Sequence, residues 1–132
     1  MPTEAEWKYA CRAGTKTRYC FGNDEKQLDE YAWHDGNSEG TTHPVGPKKP
    51  NAWGLYAMHG NATEWCEDSY PGPTGRNQRL APQGTLRVDR GGFWDYTPLG
   101  CRSATALWCV PGGRNPYIGF RVVVTCSEGE EP

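Results

Sequence analysis

The chain has 132 residues, a formal net charge of -2 and 36% hydrophobic residues. That length suits one domain, residues 1–132, it contains no run of about 18 apolar residues that would cross a membrane, and its slight acidity gives no general affinity for nucleic acid. Leu, Ile, Val and Phe together make 16 residues against six Trp and seven Tyr, so the expected core is built from indole and phenol rings more than from aliphatics.

The first element is a helix. Thr3 followed by Glu6 forms a capping box, Trp7, Ala10 and Cys11 recur on one face, and Gly14 supplies the stop. Residues 15–50 show no sustained period; Gly, Asn, Asp and Pro punctuate short aromatic islands near Tyr19 and Trp33, which reads as loop packed by rings. Residues 51–66 read as a turn and a short strand buried on both faces, with Trp53 and Trp65 joining Trp7 and Trp94 in the core. Residues 71–84 read as a polar Pro/Gly/Arg loop. Residues 86–90 alternate as a strand does, and Gly91-Gly92 breaks it. Residues 93–117 have no period, and a long irregular loop in a compact domain is usually either functional or disordered. Residues 118–124, Ile-Gly-Phe-Arg-Val-Val-Val, make the strongest strand pattern in the chain.

Six cysteines stand at 11, 20, 66, 101, 109 and 126 without a Cys-x-x-Cys pair. Zinc-ribbon and thioredoxin chemistry are therefore not expected, and most of these thiols read as small buried hydrophobes. His34, His43 and His59 lack metal-ligand spacing and read as structural. Asn61-Ala62-Thr63 matches a glycosylation sequon but falls in a stretch expected to be buried. Residues 84–125 hold five Arg against two Asp, with no Lys or Glu. Arg without Lys favours structural forks over a solvated basic face.

Several segments resemble the formylglycine-generating-enzyme-like (sulfatase-modifying-factor) superfamily. The first 14 residues, with Pro-Thr-Glu-Ala-Glu-Trp and Cys-Arg-Ala-Gly, resemble its helix motif. Asn51-Ala52-Trp53-Gly54-Leu55-Tyr56, Gly60-Asn61 and Glu64-Trp65-Cys66 resemble its central motif. Arg90-Gly91-Gly92-x-Trp94, Cys101-Arg102-Ser103-Ala104 and Ile118-Gly119-Phe120-Arg121 resemble its C-terminal signature. The resemblance implies an α+β, C-type-lectin-like fold: a small twisted antiparallel sheet, a flanking helix and long irregular loops. It also places the start of the chain at the start of the superfamily's second half.

The superfamily includes enzymes and binders. Its enzymes use a copper-binding cysteine pair, for which Cys101 and Cys109 are the available residues. Its calcium-binding members imply Glu64 as a candidate ligand, although Ala57 stands where they carry an oxygen donor. Within the superfamily, residues 90–123 resemble the variable region of diversity-generating-retroelement proteins. That resemblance implies a fixed framework of Arg90, Gly91, Gly92, Trp94, Cys101, Arg102, Arg114, Ile118, Phe120 and Arg121. It implies displayed, ligand-binding positions at Phe93, Asp95, Tyr96, Thr97, Leu99, Gly100, Thr105, Leu107, Trp108, Cys109, Val110, Gly113 and Tyr117. Most of the displayed types are reachable from an AAC codon by changing its adenines. The expected activity is non-enzymatic recognition of a protein or glycan on a target cell, from a phage tail tip or a cell surface, with no cofactor, no nucleic acid and no membrane insertion.

Overall fold

The structure is a computed structural model that describes residues 1–70 and 86–126. The expected 71–84 loop lies outside the described residues.

Helix α1 spans Glu4–Arg12, and both halves of its capping box are present: Thr3 Oγ1 accepts from the Glu6 amide at 3.2 Å, and Glu6 accepts from the Thr3 amide at 3.0 Å. It ends through Ala13, itself left-handed at φ 46°, whose amide bonds the Tyr9 carbonyl. Gly14 follows at φ 90°. The buried stripe is Trp7 and Cys11, as expected.

Four strands follow: β1 (Thr63–Ser69), β2 (Arg87–Arg90), β3 (Ala106–Cys109) and β4 (Ile118–Gly119), with 3-10 turns at Glu25–Glu30 and Pro98–Cys101. Their order across the sheet is β3-β2-β1-β4. β1 pairs antiparallel with β2, β2 antiparallel with β3, and β4 parallel with β1. The sheet is therefore mixed rather than wholly antiparallel, within an α+β, C-type-lectin-like fold.

Three expectations about elements change. The 93–117 stretch contains β3, whose four residues escape a period search because they lie on a sheet edge with both faces half covered. Only Ile118 and Gly119 of the expected 118–124 strand pair; Phe120, Val122 and Val124 are exposed, because no described strand lies beyond β4. Residues 51–62 form turns, with Asn51 Oδ1 accepting from the amides of Trp53 and Leu55, and β1 starts at Thr63.

The core also departs from a ring-built one. One cluster holds Trp7, Cys11, Met58, Cys66 and Val88; the other holds Tyr19, Leu28, Ala32 and Cys101. Each has one buried ring among aliphatic side chains and thiols, with partly buried rings (Tyr70 on the first, Phe21 and Tyr96 on the second) packed against it. Trp53 is 47% exposed against Tyr9, and Trp65 and Trp94 are half-buried. Trp33 stacks on His43 at 3.8 Å with Lys48 over its ring.

Candidate ligand-binding site

The site is built on the strand β2 and the turn after it. Arg90 is buried, and its Nη1 donates to the carbonyls of Ser103, Ala104 and Thr105 while Nη2 pairs with Glu4. One guanidinium thus joins the helix N-terminus to the segment leading into β3. Gly91 and Gly92 follow at φ 104° and 70°. A Cβ at Gly92 would lie 2.9 Å from Cys101 Sγ, so the turn presses directly on that thiol. Arg121, two residues past β4, completes the frame: Nε and Nη2 reach Glu64 at 2.9 Å, and Nη2 also reaches the Tyr56 carbonyl. Arg102 Nε donates to the Leu99 carbonyl.

This framework positions the stretch that follows. Trp94 and Asp35 donate their amides to the carbonyls of Asn61 and Tyr96, and Thr63 donates its amide to the Tyr117 carbonyl. The rings of Phe93 and Tyr96 lie 4.0 Å apart, and those of Phe93 and Tyr117 4.5 Å apart. Phe93, Tyr96 and Tyr117 therefore form one half-open aromatic group. Leu107 and Cys109 lie on the Asp89 face of the sheet, because Leu107 pairs with Asp89 and Cys109 with Arg87. Asn115 Nδ2 reaches Cys109 Sγ from the returning loop.

The displayed positions sort into three sets. Asp95, Thr97, Leu99, Val110, Gly113 and Tyr117 are exposed, and Phe93, Tyr96, Leu107 and Cys109 are half-buried. Trp108 is 49% exposed but points to the opposite face, where it stacks on Tyr70 at 4.2 Å. The 93–117 stretch thus presents an aromatic group on one face and a Trp–Tyr pair at the sheet edge on the other. Gly100 and Thr105 are half-buried too. A Cβ at Gly100 would meet the Tyr96 ring at 2.5 Å, and the Thr105 hydroxyl is buried without a hydrogen-bond partner among the described residues. Both positions are constrained by what lies on top of them.

Among the framework residues, Arg90, Gly91, Gly92 and Cys101 are buried, and Trp94, Arg102, Ile118 and Arg121 are half-buried. Phe120 and Arg114 are the exceptions. Phe120 is 70% exposed because its segment leaves the sheet. Arg114 is exposed in the loop after β3 and bonds no described residue.

The chemistry available from thiols and metals is limited. Cys101 and Cys109 do not fit a copper pair. Cys101 packs beside Gly92, beyond the end of β2, whereas Cys109 is opposite Arg87 at its start, so roughly 10 Å of strand separates them. Burial also pushes the Cys101 thiol up to about 12, away from thiolate. Glu64 does not fit calcium: its oxygens accept from Trp7 Nε1 at 2.7 Å and from Arg121, so a cation would have to displace both. Among the described residues no group of three or more His, Cys, Asp or Glu is placed to hold a metal ion. Asn61 is buried, with Nδ2 donating to the His43 carbonyl, which removes the sequon from the surface.

His59 is structural, as expected of the histidines. Nδ1 faces the Cys101 carbonyl at 2.8 Å and Nε2 accepts from the Cys20 amide, so the ring is neutral, with burial pushing its pKa down to about 4. His34 lies between Asp29 and Asp35, and His43 reaches the Ser38 carbonyl.

Asp89 is a residue that sequence reasoning missed. In the alternation of 86–90 it falls on the face opposite Val88 and so reads as solvent-facing. The 93–117 stretch covers that face, leaving Asp89 3% exposed with Oδ1 unpartnered. Burial raises its pKa, with the Thr63 hydroxyl opposing.

Comparison with known proteins places this architecture. Residues 1–126 match the sulfatase-modifying factor enzyme 1-like domain family. The chain is similar to Treponema denticola variable protein 1, at 39% identity and a TM-score of 0.80, over 91% of this chain and 45% of that one. It is also 36% identical to the formylglycine-generating enzyme of Thermomonospora curvata, over 92% of this chain and 48% of that protein. Chaperone protein LppX of Paenibacillus barcinonensis is 32% identical, over 93% of this chain and 48% of its own length. The chain thus spans about half the length of these relatives.

Proposed function

The chain belongs to the sulfatase-modifying factor enzyme 1-like domain family, and from that premise we propose that it is a non-enzymatic, hypervariable ligand-binding protein. A fixed scaffold presents side chains diversified by a retroelement to a protein or glycan ligand. The observation that carries this reading is the division within residues 90–117. Arg90, Gly91, Gly92, Cys101 and Ser103 are buried, while Asp95, Thr97, Leu99, Trp108, Val110 and Tyr117 face solvent. Backbone bonds hold the exposed stretch, so its side chains are free to differ. Tyr and Trp at such positions supply large, rigid contact area at low entropic cost. The similarity to a variable protein supports the same reading.

Similarity to a formylglycine-generating enzyme favours a second reading, oxidation at a copper-bound cysteine pair. The separation of Cys101 from Cys109 and the high Cys101 pKa speak against it. Two measurements decide. A Tyr96→Ala, Trp108→Ala, Tyr117→Ala variant keeps cooperative unfolding if these rings are for display; a variant that unfolds overturns display. Cu(I) titration against a thiol-reporting chelator should show no stoichiometric site, and one lost in Cys109→Ser would revive the enzyme reading.

A further inference from the structure

Independently of the display reading, we infer that the outer edge of β4, with the run 120–124 that continues it, is the seat of one more β-strand. The strand that fits it comes from polypeptide equivalent to the half of the family's fold that these 132 residues do not span.

Three observations carry this. The first is an open ladder. β4 is the last described strand on its side of the sheet, at the opposite edge from β3. The Thr63 amide bonds the Tyr117 carbonyl, so residue 117 faces β1. By alternation, the backbone groups of Ile118, Phe120, Val122 and Val124 face away from the sheet. Residues 120–125 make no backbone–backbone hydrogen bond among the described residues. Such a row is the template that strand addition uses.

The second is composition. Unpaired edges are ordinarily blunted by Lys, Pro or an inward charge. Residues 118–124 hold neither Lys nor Pro, and their one charge, Arg121, is tied to Glu64. Phe120, Val122 and Val124 are instead 70%, 74% and 82% exposed, and in an extended run they share one face. Beside them lies a cleft of about 270 Å³, walled by Val45, Ala57, Ala62 and Phe120 and closed by the Arg121–Glu64 pair. It has room for a large apolar side chain.

The third is what the relatives carry. In each of them, about as much chain again accompanies the matched part. That chain has to pack against the matched part, and the 118–124 edge offers it an unpaired ladder and apolar side chains together. A lipid or a glycan would cover the side chains without completing the ladder; an extended backbone does both.

The test presents this chain with short overlapping peptides that together cover the part of Treponema denticola variable protein 1 outside the match, and reads hydrogen exchange at the amides of 118–124. One peptide, or two that overlap, with alternating apolar residues should bind saturably and slow exchange at Phe120, Val122 and Val124 about tenfold or more, with less change at Arg121 and Val123. Val122→Pro deletes an outward amide without removing a described backbone hydrogen bond. It should leave unfolding of the free chain cooperative and abolish the protection at Phe120 and Val124. Phe120→Ala, which takes away a wall of the cleft, should weaken the same peptide about tenfold. Protection by none of the peptides, or full protection in Val122→Pro, would overturn the seat. A concentration-dependent dimer of the free chain that Val122→Pro abolishes would overturn the occupant, giving the edge to a second copy. None of these results bears on the triple alanine variant, so the display reading stands or falls separately.

Discussion

The regions before and after Gly92 hold their backbones by different means. Before it, charged and polar side chains turn inward: Glu64 bonds Trp7 and Arg121, Glu4 pairs with buried Arg90, and His59 bridges Cys20 and Cys101. After it, the backbone is held mostly by its own amides and carbonyls and by ring packing, while most side chains reach the surface. The first arrangement fixes residue identity, since removing one partner strands another. The second fixes the path of the chain and leaves identity open. A surface meant to vary needs the second kind, supported from below by the first.

The largest way to break this contrast is in the inward region. Trp7→Ala should cost about 3–5 kcal/mol by opening a cavity in the main core cluster and taking one of the donors from Glu64. Arg90→Ala should cost a similar amount, roughly 3–5 kcal/mol, since Glu4 and three carbonyls lose their donor. Urea unfolding at neutral pH reads both.

Acid tests the same region without mutation. His59 titrates near pH 4 in the folded chain, below its ordinary 6.5, so the unfolded state binds the proton first. Stability from the neutral ring is full above pH 6.5 and is lost as pH falls toward 4, by roughly 3 kcal/mol. A urea series across that window, with the His59 resonance followed in parallel, checks the size and the sign. Asp89 acts oppositely. Its raised pKa favours the folded chain below about pH 3.8 and costs stability as pH rises through its folded value. Asp89→Asn should therefore gain on the parent as pH rises from 3 to 7, which paired melts would show.

The smallest effects belong outside. Trp53→Ala should cost under about 1 kcal/mol, because nearly half of that ring is already in water. A loss near that of Trp7→Ala would restore Trp53 to the core.

The sequence was most legible where local chemistry decides structure. The Thr3–Glu6 capping box, the Trp7–Cys11 stripe, the strand ending at Arg90 and the Gly91-Gly92 turn are set by neighbours within a few residues. It was least legible where distant segments decide. β3 exists because β2 lies beside it, and the apolar alternation of 118–124 is only partly used because pairing stops at Gly119. The candidate site divides the same way. Exposure at Asp95, Thr97, Leu99, Val110 and Tyr117 agrees with the family resemblance, whereas the opposite-face placement of Trp108 and the burial of Asp89 depend on sheet geometry. Rings were also overweighted as core: Cys11, Cys66 and Cys101 fill space that Trp53 and Trp94 were expected to fill.

The most direct test of a fixed scaffold under a variable surface is a displayed library, randomised at Asp95, Tyr96, Thr97, Leu99, Trp108, Val110 and Tyr117 and sorted by protease resistance. The account predicts that most clones resist protease like the parent, and that selection on unrelated protein targets returns different side chains at these positions. A library in which most clones are digested, while one randomised at Arg90, Cys101 and Arg121 resists, would contradict it.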